Sequence, residues 1–247
     1  MIGRVAKQGL SALVLAGVLC LGCTDGGATA PPGPSAATGP AQQTECALAA
    51  PFVMDSFAGP SGAPVTAHTG ERGAAWSDWT QAAGRTQLAP GMRVRASVAG
   101  PHAVVTASGT PPGPDYEVSA DFHVVSLAET TLIGVLARRD DNTDSEYMGW
   151  YNSASATWGI ARRLGGTGIT VGGTYAQTLA AGGTYRVALR VRGSRLSLLV
   201  DGAERVSGTD TSIEAPGRAG IRMAQAGRAG DDVGLQLGNF RAAGCAP

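Results

Sequence analysis

Most of the residues that could do chemistry in this 247-residue chain lie between positions 138 and 163. Arg138-Arg139-Asp140-Asp141-Asn142-Thr143-Asp144-Ser145-Glu146 puts acids and an asparagine into one short stretch. Asp140, Asp141, Asn142 and Asp144 offer oxygen ligands of the kind Ca²⁺ takes, although the glycine and terminal glutamate spacing of an EF-hand is missing. The competing reading needs no cofactor: a polar hairpin loop whose acids are neutralised by the two arginines. Tyr147, Trp150, Tyr151 and Trp158 follow, then Arg162 and Arg163. Sugars present apolar C–H faces that stack on aromatic rings, and hydroxyls that accept hydrogen bonds from guanidinium groups. Arg138, Tyr147, Trp150, Trp158 and Arg162 are therefore the candidate carbohydrate-binding residues. Strand alternation puts Trp150 and Tyr151 on opposite faces, so one ring of that pair belongs to the core. Trp76 and Trp79 form either a second contact edge or a cap on the core.

Other chemistries fare less well. Glu117 and Asp121 share a strand face, but four residues separate them by about 13 Å. A nucleophile and acid pair for retaining glycoside hydrolysis needs about 5–5.5 Å. His68, His102 and His123 are scattered, no Gly-x-Ser-x-Gly elbow is present, and no His or Cys pair has zinc-ligand spacing. Lys and Arg together number 19, as do Asp and Glu, for a formal net charge of zero. That balance argues against nucleic acid as a partner, since phosphate binding needs a cationic surface.

The elements that must hold these residues follow an export segment. Arg4 and Lys7 precede an apolar run, Gly9 to Gly22, that has the length of a signal h-region and is too short to span a bilayer. It ends Leu19-Cys20-Leu21-Gly22-Cys23, which resembles a bacterial lipobox with Cys23 as the lipidated residue, except that Cys20 stands where an aliphatic is usual. The resemblance implies cleavage after residue 22 and a lipid anchor at Cys23. Thr24 in the sorting position points to the outer membrane of a bacterial cell envelope; the alternative is an ordinary signal and a secreted protein. Residues 23–45 are rich in Gly, Pro, Ala and Thr with no large apolar side chain after the anchor, and so are expected to be a disordered tether reaching about 25 Å. Cys46 and Cys245 bracket the remainder, and in an oxidising compartment an even pair reads as a disulfide.

Residues 46–247 read as one all-β domain. Tyr185, Val187, Leu189 and Val191 alternate with Arg186, Arg190 and Arg192; Leu196, Leu198 and Val200 repeat the rhythm up to Asp201-Gly202, a hairpin signal. Period two recurs in Tyr116 to Val124 and in Met92 to Val98, whereas Leu132 to Ala137 is a continuous apolar run suited to a strand buried on both faces. Ile221 to Ala224 and Leu235 to Phe240 add further strands. With 37 Gly, 15% charged residues and turn signals throughout, the expected architecture is a two-sheet antiparallel sandwich.

The order of these features is similar to that of the concanavalin A-like, laminin-G-like jelly-roll superfamily: Asp55-Ser56-Phe57, Trp76, the strand from Asp115-Tyr116, Leu132 to Arg138, Tyr147 to Tyr151, the hairpin at Asp201-Gly202, Gly217 to Ile221 and Gly238-Asn239-Phe240. The resemblance spans roughly residues 52–243. It implies a non-catalytic domain that binds carbohydrate or another cell-surface polymer, held to the membrane through its lipid. Two alternatives come with it: a glycoside hydrolase-like enzyme similar to the 3-keto-glycoside hydrolases, and a structural module that adheres to protein. The Glu-x-Asp-x-x-Glu strand of retaining hydrolases on this fold is absent.

Overall fold

The computed structural model describes residues 46–79 and 85–246. The expected signal peptide (1–22), the lipidation at Cys23 and the tether lie outside the described residues. The strands run in chain order as β1 (Leu48–Asp55), β2 (Trp76–Asp78), β3 (Thr86–Ala89), β4 (Arg93–Ala96) and β5 (Gly100–Ala107). Next come β6 (Tyr116–Ser126), β7 (Thr131–Asp140), β8 (Ser145–Asn152), β9 (Thr157–Leu164) and β10 (Thr167–Ala176). The series closes with β11 (Thr184–Arg192), β12 (Arg195–Val200), β13 (Ala203–Thr209), β14 (Arg218–Gln225) and β15 (Gly234–Cys245). Among the described residues the helical content is a single 3₁₀ turn, Val65–Ala67.

Two antiparallel sheets face one another. One has eight strands in the order β13-β12-β11-β6-β15-β4-β3, with β1 also paired to β15; the other has seven, β10-β9-β8-β7-β14-β5-β2. Alternation decides which side chains go between them. On β6, Tyr116, Val118, Ala120, Phe122 and Val124 point inward and are almost fully buried, as are Val187, Leu189 and Val191 on β11. The opposite face of the eight-stranded sheet pairs Arg190 with Glu117 at 2.9 Å and Arg186 with Asp121 at 3.0 Å, so the two acids serve cross-strand ion pairs. The β12–β13 hairpin turns on Asp201 (φ 51°) and Gly202 (φ 79°), left-handed at both central positions as a tight hairpin requires.

The run from Leu132 to Ala137 is buried on both faces. Ile133, Val135 and Ala137 enter the main core, whereas Leu136 packs with Val104 and Met148 in a second apolar cluster on the other side of the sheet, flanked by Leu132, Trp79 and Trp150. One alternation is shorter than expected. Met92 lies in a left-handed turn (φ 60°) and Val98 beyond the strand end, both about half exposed, so β4 keeps only Val94 and Ala96 as inward residues. Tyr185 is only partly buried at the rim of the core.

The two ends of the described domain are tied to this frame. Cys46 and Cys245 form a disulfide with Cα atoms 5.1 Å apart, next to the pairing of Leu48 on β1 with Cys245 on β15. At the other end of β1, the buried carboxylate of Asp55 accepts from Trp76 Nε1 (2.6 Å), His68 Nε2 (2.9 Å) and the Phe57 backbone N–H (2.6 Å). Replacing both cysteines by serine is expected to cost about 2–5 kcal/mol, because the bridge closes a loop spanning almost the whole domain. Urea unfolding of wild type and the double variant checks this, and reductant should lower the wild type towards the variant.

Candidate ligand groove on the seven-stranded sheet

β8 divides its side chains between two environments. Tyr147, Gly149 and Tyr151 face the core, and Glu146, Met148, Trp150 and Asn152 face outward. The outward set lines a groove of about 280 Å³, joined by His102 from β5, Leu132 from β7, Arg163 from β9, Thr170 from β10 and Arg222 from β14. Register determines the shape of this surface. Trp150 pairs with Gly134 on one side and Gly159 on the other. A Cβ at Gly159 would lie 2.3 Å from Trp150 Cζ2, so the indole lies over a position that must carry no side chain. Gly134 is likewise covered, its missing Cβ replaced by Met148, whose Cγ and Cε would lie within 2.9 Å of it. The result is a partly exposed aromatic plate beside an apolar floor.

A bulge organises the charged end. Ala137 pairs with Tyr147 and Asp140 with Ser145, which leaves two residues, Arg138 and Arg139, opposite Glu146 alone. Arg138 takes the left-handed position (φ 51°) and Gly217 lies so close that a Cβ there would be 2.4 Å from the Arg138 carbonyl carbon. The extra residue sends two consecutive arginines to different places. Arg139 goes to the outer face, fully buried under Trp79, its guanidinium 4.3 Å from that ring centre. It donates to Asp141 through Nε (2.8 Å) and through Nη1 to Asp144 (2.6 Å) and Glu146 (2.9 Å). Arg222 Nε donates to the other oxygen of Glu146 at 2.7 Å, and Arg163 holds Asp144 through Nε at 2.9 Å. Burial alone would raise the Asp144 pKa, yet hydrogen bonds from Arg163 and Arg139 outweigh it and hold the carboxyl below its ordinary value. His102 is pushed down, first by burial and then by the charges of Arg222 and Arg163, so it is neutral at neutral pH.

This arrangement corrects much of the candidate surface read from the sequence. Arg138 is buried and staples loops: it donates to the carbonyls of Pro114 (3.0 Å), Ile213 (2.6 Å) and Gly193 (3.1 Å). Tyr147 is a core ring whose hydroxyl donates to Asp210 at 2.8 Å; burial, then that bond, push its pKa up to about 12. Trp158 is fully buried against Tyr151 (centroids 4.6 Å) and Phe122 (5.9 Å), its Nε1 donating to Gln177. Arg162 pairs with Asp210 at 2.9 Å, away from the groove lining. Of the five, Trp150 alone is among the groove residues.

The acidic loop is corrected too. Asp141 and Asp144 are taken up by Arg139 and Arg163, and Asp140 folds back on the Asn142 N–H and the Thr143 hydroxyl, both at 2.9 Å. Among the described residues no group of three or more His, Cys, Asp or Glu converges as a metal site. Asp141 and Asp144 are paired with arginines, whereas Asp140 is engaged within its own loop. His102, Met148 and Arg222 had no sequence signal, because only cross-strand register shows that they share the groove.

No family model matches the chain, and no curated protein matches it. Solved structures do. The carbohydrate-binding module CBM66 from Bacillus subtilis superposes with a TM-score of 0.56 at 12% identity, over 69% of this chain and 96% of that one. The Bacillus licheniformis β-glucanase gives 0.51 at 11% identity, over 76% and 100%. The exoplasmic/lumenal domain of VIP36, in metal-free form, gives 0.53 at 11% identity, over 76% and 92%. The domain is a concanavalin A-like jelly roll. At these identities the likeness extends to the fold and no further.

In this jelly roll Glu146 is the carboxylate most deeply committed to the groove, with both oxygens engaged by buried arginines. Glu146→Ala would leave Arg139 and Arg222 buried without that partner. It is expected to cost about 3–5 kcal/mol, read from the urea midpoint, whereas Glu204→Ala at an exposed pair should cost under about 1 kcal/mol.

Proposed function

We propose that this protein is a non-catalytic carbohydrate-binding module of the bacterial cell envelope, with its site in the groove around Trp150. The observation that carries the proposal is the Trp150 plate, laid over Gly159 and left partly open beside a lining of mixed polar and apolar side chains. Such a surface suits a pyranose, whose C–H face stacks while its hydroxyls reach His102, Asn152 and Thr170. Binding rather than hydrolysis is favoured because Glu146 is the one carboxylate among the groove residues described, and arginines occupy both of its oxygens. Most glycosidases, retaining or inverting, use a second carboxyl group across the scissile bond.

Depletion of the purified protein from solution by a panel of insoluble polysaccharides tests the reading. Trp150→Ala is expected to weaken binding about tenfold or more while the domain stays folded, with a loss of stability smaller than that of a main-core ring, since it packs only against the outer cluster. Trp158→Ala should instead cost about 3–5 kcal/mol in stability. Unchanged retention by folded Trp150→Ala would move the site elsewhere, and release of reducing ends from any polymer would replace binding with hydrolysis.

The envelope assignment rests on the lipobox resemblance at Leu19 to Cys23. Palmitate labelling in a bacterial host should mark the wild-type chain and be lost in Cys23→Ala, with the variant released to the soluble fraction. Equal labelling of both would overturn the anchor.

A further inference from the structure

Side chains in and beside the groove form an alternating line: Arg163, Asp144, Arg139, Glu146, Arg222. Each neighbouring pair is linked at 2.6–2.9 Å. Arg163 and Arg222, the two ends, both line the groove and both are cationic, so the line holds three guanidinium groups against two carboxylates. Asp141 does not cancel the excess outright. It accepts from Arg139 on the side away from Glu146 and has Arg218 3.8 Å from its other oxygen. Arg222 is only 4% exposed, and its Nη2 has no hydrogen-bond partner. A buried guanidinium N–H left unpaired is costly, and the cost is relieved most by an anionic acceptor. The same positive field acts on His102, where Arg222 and Arg163 both add to burial in disfavouring a proton, while Glu146 opposes them. His102 Nδ1 is a second buried groove atom without a partner.

We propose that the ligand is a carboxylated glycan, a polymer containing uronic acid, whose carboxylate is received by Arg222 Nη2 at the cationic end of the groove while a neighbouring sugar stacks on Trp150. This rests on the carbohydrate-binding reading above and names the class of sugar. The indole lies over β9, and Arg222 reaches across β7 from β14 to Glu146 on β8. The ligand thus crosses β8, over Met148, and engages both ends at once. Glu146, already saturated by two arginines, orients the Arg222 guanidinium and leaves its Nη2 for the incoming acid.

Wild-type full-length protein is titrated by calorimetry with alginate, polygalacturonate and hyaluronan, each alongside its carboxyl-reduced neutral derivative, and with dextran sulfate and a neutral β-glucan. At least one carboxylated polymer should bind, with carboxyl reduction weakening it about tenfold or more, as expected for loss of a charge-assisted hydrogen bond. Trp150→Ala should weaken the same binding about tenfold or more. Equal affinity for acidic and reduced forms, or for the neutral β-glucan, with loss in Trp150→Ala, would overturn the acidic ligand and leave the carbohydrate site standing. Dextran sulfate binding as tightly as the best uronate would overturn the carboxylate preference in favour of general polyanion binding. No heat or depletion with any polymer would sink both readings. The wild-type comparison avoids dependence on folding. Arg222→Gln, confirmed folded by circular dichroism, should bind the acidic and reduced polymers alike.

Discussion

A two-for-one mismatch on β7 controls the groove. Opposite Glu146 the chain supplies Arg138 and Arg139 where a regular ladder would supply one residue. With perfect alternation, the residue after inward-facing Ala137 would be the outward one, and Arg138 would sit beside Glu146. The bulge transfers that place to Arg139 and sends Arg138 to the loops around Pro114, Gly193 and Ile213. The left-handed turn at Arg138 is costly for a residue with a long side chain. What holds it is local crowding by Gly217, four carbonyl or carboxylate acceptors on the guanidinium, and the Tyr116 hydroxyl against its backbone N–H. The place of Arg139 between Asp144 and Glu146 follows from that one offset.

The ion line it creates is a poor device for stability alone. Burying charges costs several kcal/mol per ion after relaxation, and a well-packed apolar replacement is often neutral or better. The neighbouring surface shows that apolar packing is available here, since Leu136, Met148 and Val104 already cover the same sheet face. What the line adds is orientation. Asp144 and Glu146 each bridge two arginines, so guanidinium planes that would otherwise sample many rotamers are fixed at both margins of the groove. A pre-organised donor loses less entropy when a ligand arrives, which is the usual reason to maintain such a network at a binding surface.

Alternation and turn chemistry made the sandwich legible in the chain. The inward rows of β6 and β11, the doubly buried β7 and the Asp201-Gly202 hairpin all follow from periods of two and the needs of left-handed turns. Cys46 and Cys245, which bracket the expected domain, do pair as a disulfide. The site was less legible, for a specific reason. Period two says that Trp150 and Tyr151 face opposite ways, but not which faces in. Register answers that: Tyr151 pairs with Trp158, so the two rings share a face, and with Phe122 opposite they become core. The glycines that decide the matter, Gly134 and Gly159, look in sequence like ordinary turn or strand breaks. The bulge was equally hidden, because two adjacent arginines before an acidic loop look like simple charge neutralisation.

The same face bears on why a fold shared with a glucanase need not carry its chemistry. Successive outward positions on a strand are about 6.5–7 Å apart, which is within the range over which two carboxylates can cooperate across a glycosidic bond. On β8 the outward positions after Glu146 are Met148 and Trp150. A thioether stands where a second acid would be needed, and the cross-strand neighbours at that level, Leu136 and Ala161, are apolar. The carboxylate among the groove residues described, Glu146, already has one oxygen taken up by Arg139 and the other by Arg222. The proposed carbohydrate site draws on the same groups: a flat ring at one end, an apolar floor, and at the other a guanidinium whose Nη2 has no partner.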